Sequence, residues 1–250
     1  MKKLFVLTAA GLMAASTLLA VEIGQEGVIY TKDLGPYQAG RGGEFTLIPE
    51  SGFLDLSGYA KEVYFGIDNR ETFQSFCLET REYIYKDDTY KAKVASAALA
   101  GGVSDPKGDP ISIGTSWLYS QFATGQLENY VYEDTDKRLK SADQLQVVIW
   151  WLEDEMDEDG NLYKPASDNP FLEALIKEFD NEEKFKSDAK PGENGVYVLQ
   201  LRTGDGDPRQ DVLYYQTPTG GGGGVPDGGF TLLLLGSAMA GLSVVRRKLG

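Results

Sequence analysis

The sequence predicts an α+β domain: antiparallel strands with several helices in the middle. Three observations point there. Strand-like segments come early, helix-like segments fill the centre, and a paired strand pattern returns at the end. The early strands are expected at Gly43 to Pro49 and Ala60 to Ile67, bounded by Gly, Pro and Asp. From Thr72 to Tyr85 the residues alternate. Phe73, Ser75, Cys77, Glu79 and Arg81 share one side, and Phe76, Leu78 and Thr80 the other.

The helices follow. Tyr90 to Ala100 is expected to be helical, stopped at Gly101-Gly102. Ile113 to Ala123 is a second helix, stopped at Gly125. Ser141 to Met156 is the strongest. Ser141 with Gln144 three residues on forms a capping box, and Leu145, Val148, Ile149 and Leu152 make a core stripe. Phe171 to Phe179 is entered through Asn169-Pro170, with Pro170 suited to a first turn. Gly195 to Arg202 and Asp211 to Gln216 return to a strand pattern. Gly204 to Arg209 turns between them, which predicts a hairpin.

Both ends stand apart from this domain. Lys2 and Lys3 precede an apolar, Ala-rich run from Leu4 to Leu19, and Ala20 offers a cleavage point. This reads as a secretory signal peptide over residues 1–20. The folded domain is expected over 21–217, about 200 residues, enough for one sizeable core. Residues 218–224 form a tether that ends in five glycines, Gly220 to Gly224. Beyond it, Phe230 to Val245 is apolar, and Arg246, Arg247 and Lys248 form a basic stop. An apolar stretch of roughly 18 positions spans about 27 Å as a helix, marginally enough for a bilayer core. The basic stop places everything before Val225 outside the cell.

Val225, Pro226, Asp227, Gly228 and Gly229, followed by that helix and the Arg-rich end, resemble the PEP-CTERM class of exosortase-processed bacterial proteins. The similarity is to its VPDSG-CTERM variant, with Gly228 where the variant has Ser. It implies a sorting signal over 225–250, an exosortase-type processing enzyme as partner, contact with the membrane through the C-terminal helix, and a final place at the cell surface or in the extracellular matrix.

Composition narrows the chemistry. The formal net charge is −14, and the chain has no histidine and one cysteine, Cys77. Such an acidic surface repels nucleic acid phosphates, so no nucleic acid partner is expected. Without histidine there is no Ser-His-Asp or Cys-His catalysis and no His-ligated zinc. A single cysteine rules out an intrachain disulfide, and in an exported chain it calls for another use. No cofactor is expected.

Two segments stand out together: Phe76-Cys77-Leu78-Glu79 and Leu145-Gln146-Val147-Val148-Ile149-Trp150. They resemble the paired motifs of the thioester domains of Gram-positive surface adhesins. There an aromatic-Cys-Ile-Asp/Glu strand faces a Thr-Gln-x-Ala-Ile-Trp helix start. The resemblance implies an internal thioester between Cys77 and Gln146, and a partner bearing an accessible amine on a surface or matrix. Leu145 replaces the family's Thr and Val148 its Ala, leaving Ser141 or Gln144 to supply what the Thr hydroxyl orients. Gln144 also competes as the acyl donor. The protein would be consumed by its reaction, so it is not expected to be an enzyme.

Two other readings stay open. One is a non-covalent structural or binding module of the extracellular matrix. The other is a secreted hydrolase with two facing carboxylates. Among the acidic clusters, Glu153 to Asn161 loosely echoes a calcium loop but lacks the EF-hand glutamate spacing, and reads as a solvated helix end.

Overall fold

A computed structural model describes residues 21–67, 69–99, 108–133 and 136–218. The signal segment, Gly220 to Gly224, the motif Val225 to Gly229 and the basic stop Arg246 to Lys248 lie outside the described residues. Among the described residues, no helix is long and apolar enough to cross a membrane.

The fold is α+β, built on an antiparallel sheet that nearly closes on itself. In chain order the strands are β1 (Glu26–Tyr30), β2 (Gln38–Ala39), β3 (Gly42–Gly43), β4 (Phe45–Pro49), β5 (Tyr64–Ile67), β6 (Arg70–Ser75), β7 (Thr89–Ala95), β8 (Ala97–Ala98) and β9 (Asp109–Pro110). The helices α1 (Ile113–Ala123), α2 (Asp136–Leu152), α3 (Pro170–Phe179) and α4 (Glu182–Phe185) follow, and then β10 (Val196–Arg202) and β11 (Val212–Tyr215). The main sheet runs β11-β10-β7-β1-β4-β6-β5.

Its two sides meet beyond the end of β6. Leu78 N–H donates to the Asp211 carbonyl at 3.0 Å, and Leu213 N–H to the Phe76 carbonyl at 3.4 Å, so Cys77 faces Val212 across a bridge. Ser75 Oγ donates to the Leu213 carbonyl at 2.6 Å. The Tyr119 hydroxyl, from α1, lies 2.9 Å from the Gln74 carbonyl and 3.0 Å from that of Leu213. These contacts pair the two edges that the flat order leaves apart, which satisfies backbone groups that would otherwise be orphaned in the core.

The interior is apolar from both sides. Ile29, Leu47, Phe73, Val94, Val198, Leu199 and Leu213 are fully buried in the sheet. Leu118, Phe122, Leu145, Val148 and Ile149 close over it from α1 and α2. The core stripe expected on α2 is therefore present.

Several expectations need correction. Ala100, with the expected stop at Gly101-Gly102, lies outside the described residues, and Tyr90 to Leu99 is not a helix. Its first part is β7, with burial alternating along Thr89–Ala95 so that Tyr90, Ala92 and Val94 point inward. Lysine and alanine favour a helix, but period-two burial between β1 and β10 overrides that preference. Helix α2 begins at Asp136, so Ser141 lies inside it and forms no capping box. The Ser141 hydroxyl instead accepts the Val131 N–H at 3.2 Å. The strand expected to reach Tyr85 ends after the Cys77–Leu78 segment, and the strand expected from Ala60 begins at Tyr64. By contrast, α1, α3 with its Asn169 cap and first-turn Pro170, and the β10–β11 hairpin stand where expected. Strand β1 had no counterpart in the sequence reading.

The acidic run after α2 divides in two. Asp157 is half-buried, and its Oδ1 accepts the N–H groups of Asp159 and Asn161 at 3.0 and 2.8 Å, a local turn. Glu153 and Glu155 are instead buried, contrary to a wholly solvated helix end. Glu153 Oε1 accepts from Ser112 N–H at 3.1 Å and from the Ser112 hydroxyl at 3.0 Å, with the Thr115 hydroxyl as a third donor. It thereby ties the start of α1 to the end of α2.

Burial raises the Glu153 carboxyl to about 7, against partial relief from Thr115 and Ser112. The folded state therefore holds a proton that the unfolded chain releases near its ordinary value. Stability from this group is complete below about pH 4.5 and is lost as pH rises through about 7. Urea titrations of the wild type at pH 5 and pH 8 should show lower stability at the higher pH. Glu153→Gln should remove about 3 kcal/mol of that difference. Parallel pH curves for the two proteins would contradict this account.

Candidate functional site

The register between β4 and β6 explains how the site forms. Phe45 faces Ser75 and Thr46 faces Gln74, so continuing the ladder would set Gly43 opposite Cys77. The ladder does not continue. The carboxamide of Gln146, projecting from the middle of α2, stands between the two strands. Its Oε1 accepts the Cys77 N–H at 3.1 Å and the Gly43 N–H at 3.3 Å. Its Nε2 donates to the Cys77 carbonyl at 2.9 Å. The amide thus takes the place of a backbone partner for the outward edge of Cys77. Two donors on one side and an acceptor on the other also fix which end of the amide is oxygen.

The two predicted site residues, Cys77 and Gln146, are thus brought together across 69 positions. They are 2 % and 1 % exposed. Gln144, two residues from Gln146 and so about 200° around α2, stands on another face of the helix. Leu145 is wholly buried in the core. Ser141, occupied with Val131, supplies no substitute hydroxyl at the carboxamide. The backbone of Gly43 and Cys77 orients the amide instead.

The Gly42-Gly43 pair is required by this contact. A Cβ at Gly42 would lie 2.4 Å from Gln146 Cγ and 2.7 Å from Trp150 Cη2. Gly43 has φ +89°, and a Cβ there would lie 2.6 Å from both the Ala39 nitrogen and the Tyr37 carbonyl oxygen. Only glycine combines this backbone turn with so close an approach. The β2–β3 hairpin, where Gln38 pairs with Gly43, is thereby pressed onto α2.

Next to Gly43, Glu44 is fully buried and forms a fork-to-fork ion pair with Arg138 on α2. Arg138 Nε and Nη2 donate to the two carboxylate oxygens at 2.8 Å each. The Tyr130 hydroxyl donates to the same carboxylate. Arg138 also reaches the carbonyls of Glu62 and Tyr132, and its guanidinium sits 4.2 Å from the centre of the Tyr37 ring. Such a fully partnered buried pair is tolerated, but losing one member costs several kcal/mol.

On the other flank, Glu155 Oε2 accepts the Thr80 N–H at 2.9 Å and the Thr80 hydroxyl at 2.6 Å. This ties the chain just past Cys77 to the segment just past α2. Glu79 lies against Glu155, and burial together with the Glu155 charge pushes its carboxyl well above the usual range. Glu79 is therefore protonated at neutral pH and faces its neighbour as a neutral acid. Burial, with a smaller contribution from Glu79, also pushes the Cys77 thiol well above its ordinary value.

Glu79 and Glu155 are a facing pair, but both are buried beside Cys77 rather than set in a cleft. The shallow pocket lined by Ile23, Val94, Ala98 and Gln200 holds no carboxylate. The burial of Glu79 and Glu155 differs from the cleft-facing carboxyl pair of a glycosidase. Among the described residues, no group of three or more acidic or cysteine side chains is arranged to hold a metal ion.

The sequence singles out Cys77 and Gln146, which the fold brings together, but not Gly43, Glu44 or Arg138, which stand beside them. The doubled glycine before Glu44 was the available signal, since two adjacent glycines entering a strand mark a close backbone approach. No protein-family model, no curated protein and no solved structure matches this chain.

Proposed function

We propose that Cys77 and Gln146 condense into an internal thioester, and that the chain is an exported surface or matrix protein that uses this bond for covalent attachment to amines. The observation that supports it most is the grip of Cys77's own N–H and carbonyl on the Gln146 amide. The sulfur is two bonds from the Cα of the residue so gripped, so little reorganisation would be needed to bring thiol and carboxamide together. Thiol attack on the Gln146 carbonyl carbon, with loss of ammonia, gives an acyl-sulfur bond activated toward amines. A partner amine would then take the acyl group and release the thiol.

Burial of both residues supports a stored bond, screened from water until it is used. Burial, which also pushes the Cys77 thiol up, screens it from outside reagents. The sorting reading rests on the motif at Val225 to Gly229, the apolar run and the basic stop. It places the domain outside the cell, where a lone cysteine has no reducing pool to protect it. An exosortase-type enzyme would process the tail.

Intact-mass measurement of the full-length chain tests the bond. The wild type should be lighter by one ammonia and should gain methylamine on incubation. Cys77→Ala and Gln146→Ala should show neither effect. An unmodified wild-type mass, with Cys77 alkylated once the chain is unfolded in urea, would remove the proposal.

The bond would also close a loop of 69 positions. By analogy with a disulfide, that constraint on the unfolded chain stabilises by at most about 4 kcal/mol. Methylamine-opened protein should therefore unfold at a lower urea concentration than untreated protein. Coincident unfolding curves would show that the link stabilises nothing.

A further inference from the structure

We propose that the N–H groups of Gly43 and Cys77 form an oxyanion hole for the Gln146 carbonyl, and that the buried Glu44–Arg138 pair is the positioning device that sets the Gly43 arm. This rests on the thioester reading and deepens it.

The geometry precedes the chemistry. A carbonyl oxygen that becomes an oxyanion needs donors aimed at it in advance, in a site without water. Gln146 Oε1 already has two, at 3.1 and 3.3 Å, from strands that arrive on opposite sides. Both are backbone groups, so no side-chain entropy is lost in aiming them. Cys77 contributes the nucleophile and one donor from the same residue. Gly43 contributes the second donor from a hairpin outside the main sheet.

The same hole serves both halves of the chemistry. In formation, the Cys77 sulfur bonds to the Gln146 carbonyl carbon while the carbonyl electron pair moves onto Oε1. The thiol proton passes to Nε2, the carbon–nitrogen bond breaks, ammonia leaves and the carbonyl returns. In opening, an amine nitrogen bonds to the same carbon and Oε1 again takes the negative charge. The carbon–sulfur bond then breaks, sulfur keeps the electron pair and takes a proton from the incoming nitrogen, and an amide remains. Oε1 never leaves its two donors in either direction. No histidine exists in the chain to activate the thiol, so stabilising the developing oxyanion is the larger lever left to the protein.

The Gly43 arm needs support because β3 is only two residues long and leaves the β4–β6 ladder at this point. Glu44 supplies it. Its carboxylate is clamped by Arg138, which stands on the same helix as Gln146. Helix α2 therefore carries both the acyl group and the cation that fixes the donor opposite it. Arg138 touches no reacting atom and acts through Glu44 on the position of Gly43.

The test uses the full-length chain and the second-order rate of methylamine capture by the thioester form. Gly43→Ala, which cannot keep φ +89° without strain, should slow capture by about 100-fold or more. Arg138→Lys keeps the charge but not the fork, and should slow capture by less. Leu175→Ala, in the buried face of α3, is the control for lost stability; it should lower the unfolding midpoint and leave the capture rate unchanged. A folded Gly43→Ala protein that captures methylamine at the wild-type rate overturns the inference. If Gly43→Ala does not fold, Arg138→Lys decides, and a rate equal to that of Leu175→Ala overturns it. A wild-type chain of unmodified mass removes the thioester and the hole together. A thioester-bearing chain indifferent to Gly43 and Arg138 removes the hole alone.

Discussion

One carboxamide holds the functional region together. Gln146 enters where two strands part, and its oxygen and nitrogen take over the hydrogen bonds that the missing ladder would have made. A buried amide without partners costs about 1–3 kcal/mol. Here every partner is backbone, so the shape of the strands and the identity of the side chain depend on each other. The glycines at 42 and 43, the splay of β4 from β6, and the closure of the sheet through Cys77 and Val212 all follow from admitting that side chain. The same arrangement that satisfies the amide holds it against the backbone of the chain's one cysteine.

Around this contact the protein uses charge where apolar packing would have been simpler. The Glu44–Arg138 pair and the Thr80–Glu155 bonds stand on either side of the Cys77–Gln146 contact, and both tie strand segments to α2 or to the residues just past it. Buried polar groups of this kind contribute less to net stability than to a single defined geometry, because each is costly to misplace. That suits a site in which a carbonyl and a thiol must meet in one orientation. It also explains why an acidic chain keeps several carboxyls inside. Glu79, Glu153 and Asp211 are all pushed upward by burial; Glu153 accepts from Ser112 and Thr115 and Asp211 from the Leu99 N–H, while Glu79 lies among other carboxyls that push it further.

Cys77 was legible as the single cysteine of the chain, whereas Gln146 was singled out only because its helix segment resembles a thioester motif. Helices α1 and α3 were legible from their punctuation, Gly125 and Asn169-Pro170. The rest depended on distance. Gly43 meets Gln146 across 103 positions and Glu44 meets Arg138 across 94, and no local pattern selects either partner among many charged and glycine residues. Ser141 and Gln144 copied a capping box inside a helix that starts earlier, since the sequence pattern cannot report that Asp136 already belongs to the helix. Tyr90 to Ala95 carried helix-forming residues in an alternating order, and the sheet chose the order.

The central claim is that the carboxamide and the thiol are joined. A high-resolution crystal structure of the domain, prepared without amines, observes this most directly. Continuous density from Cys77 Sγ to Gln146 Cδ, with Nε2 gone and Oε1 still between Gly43 and Cys77, is the predicted result. A free thiol beside an intact amide, under conditions where the fold is otherwise as described, would contradict it.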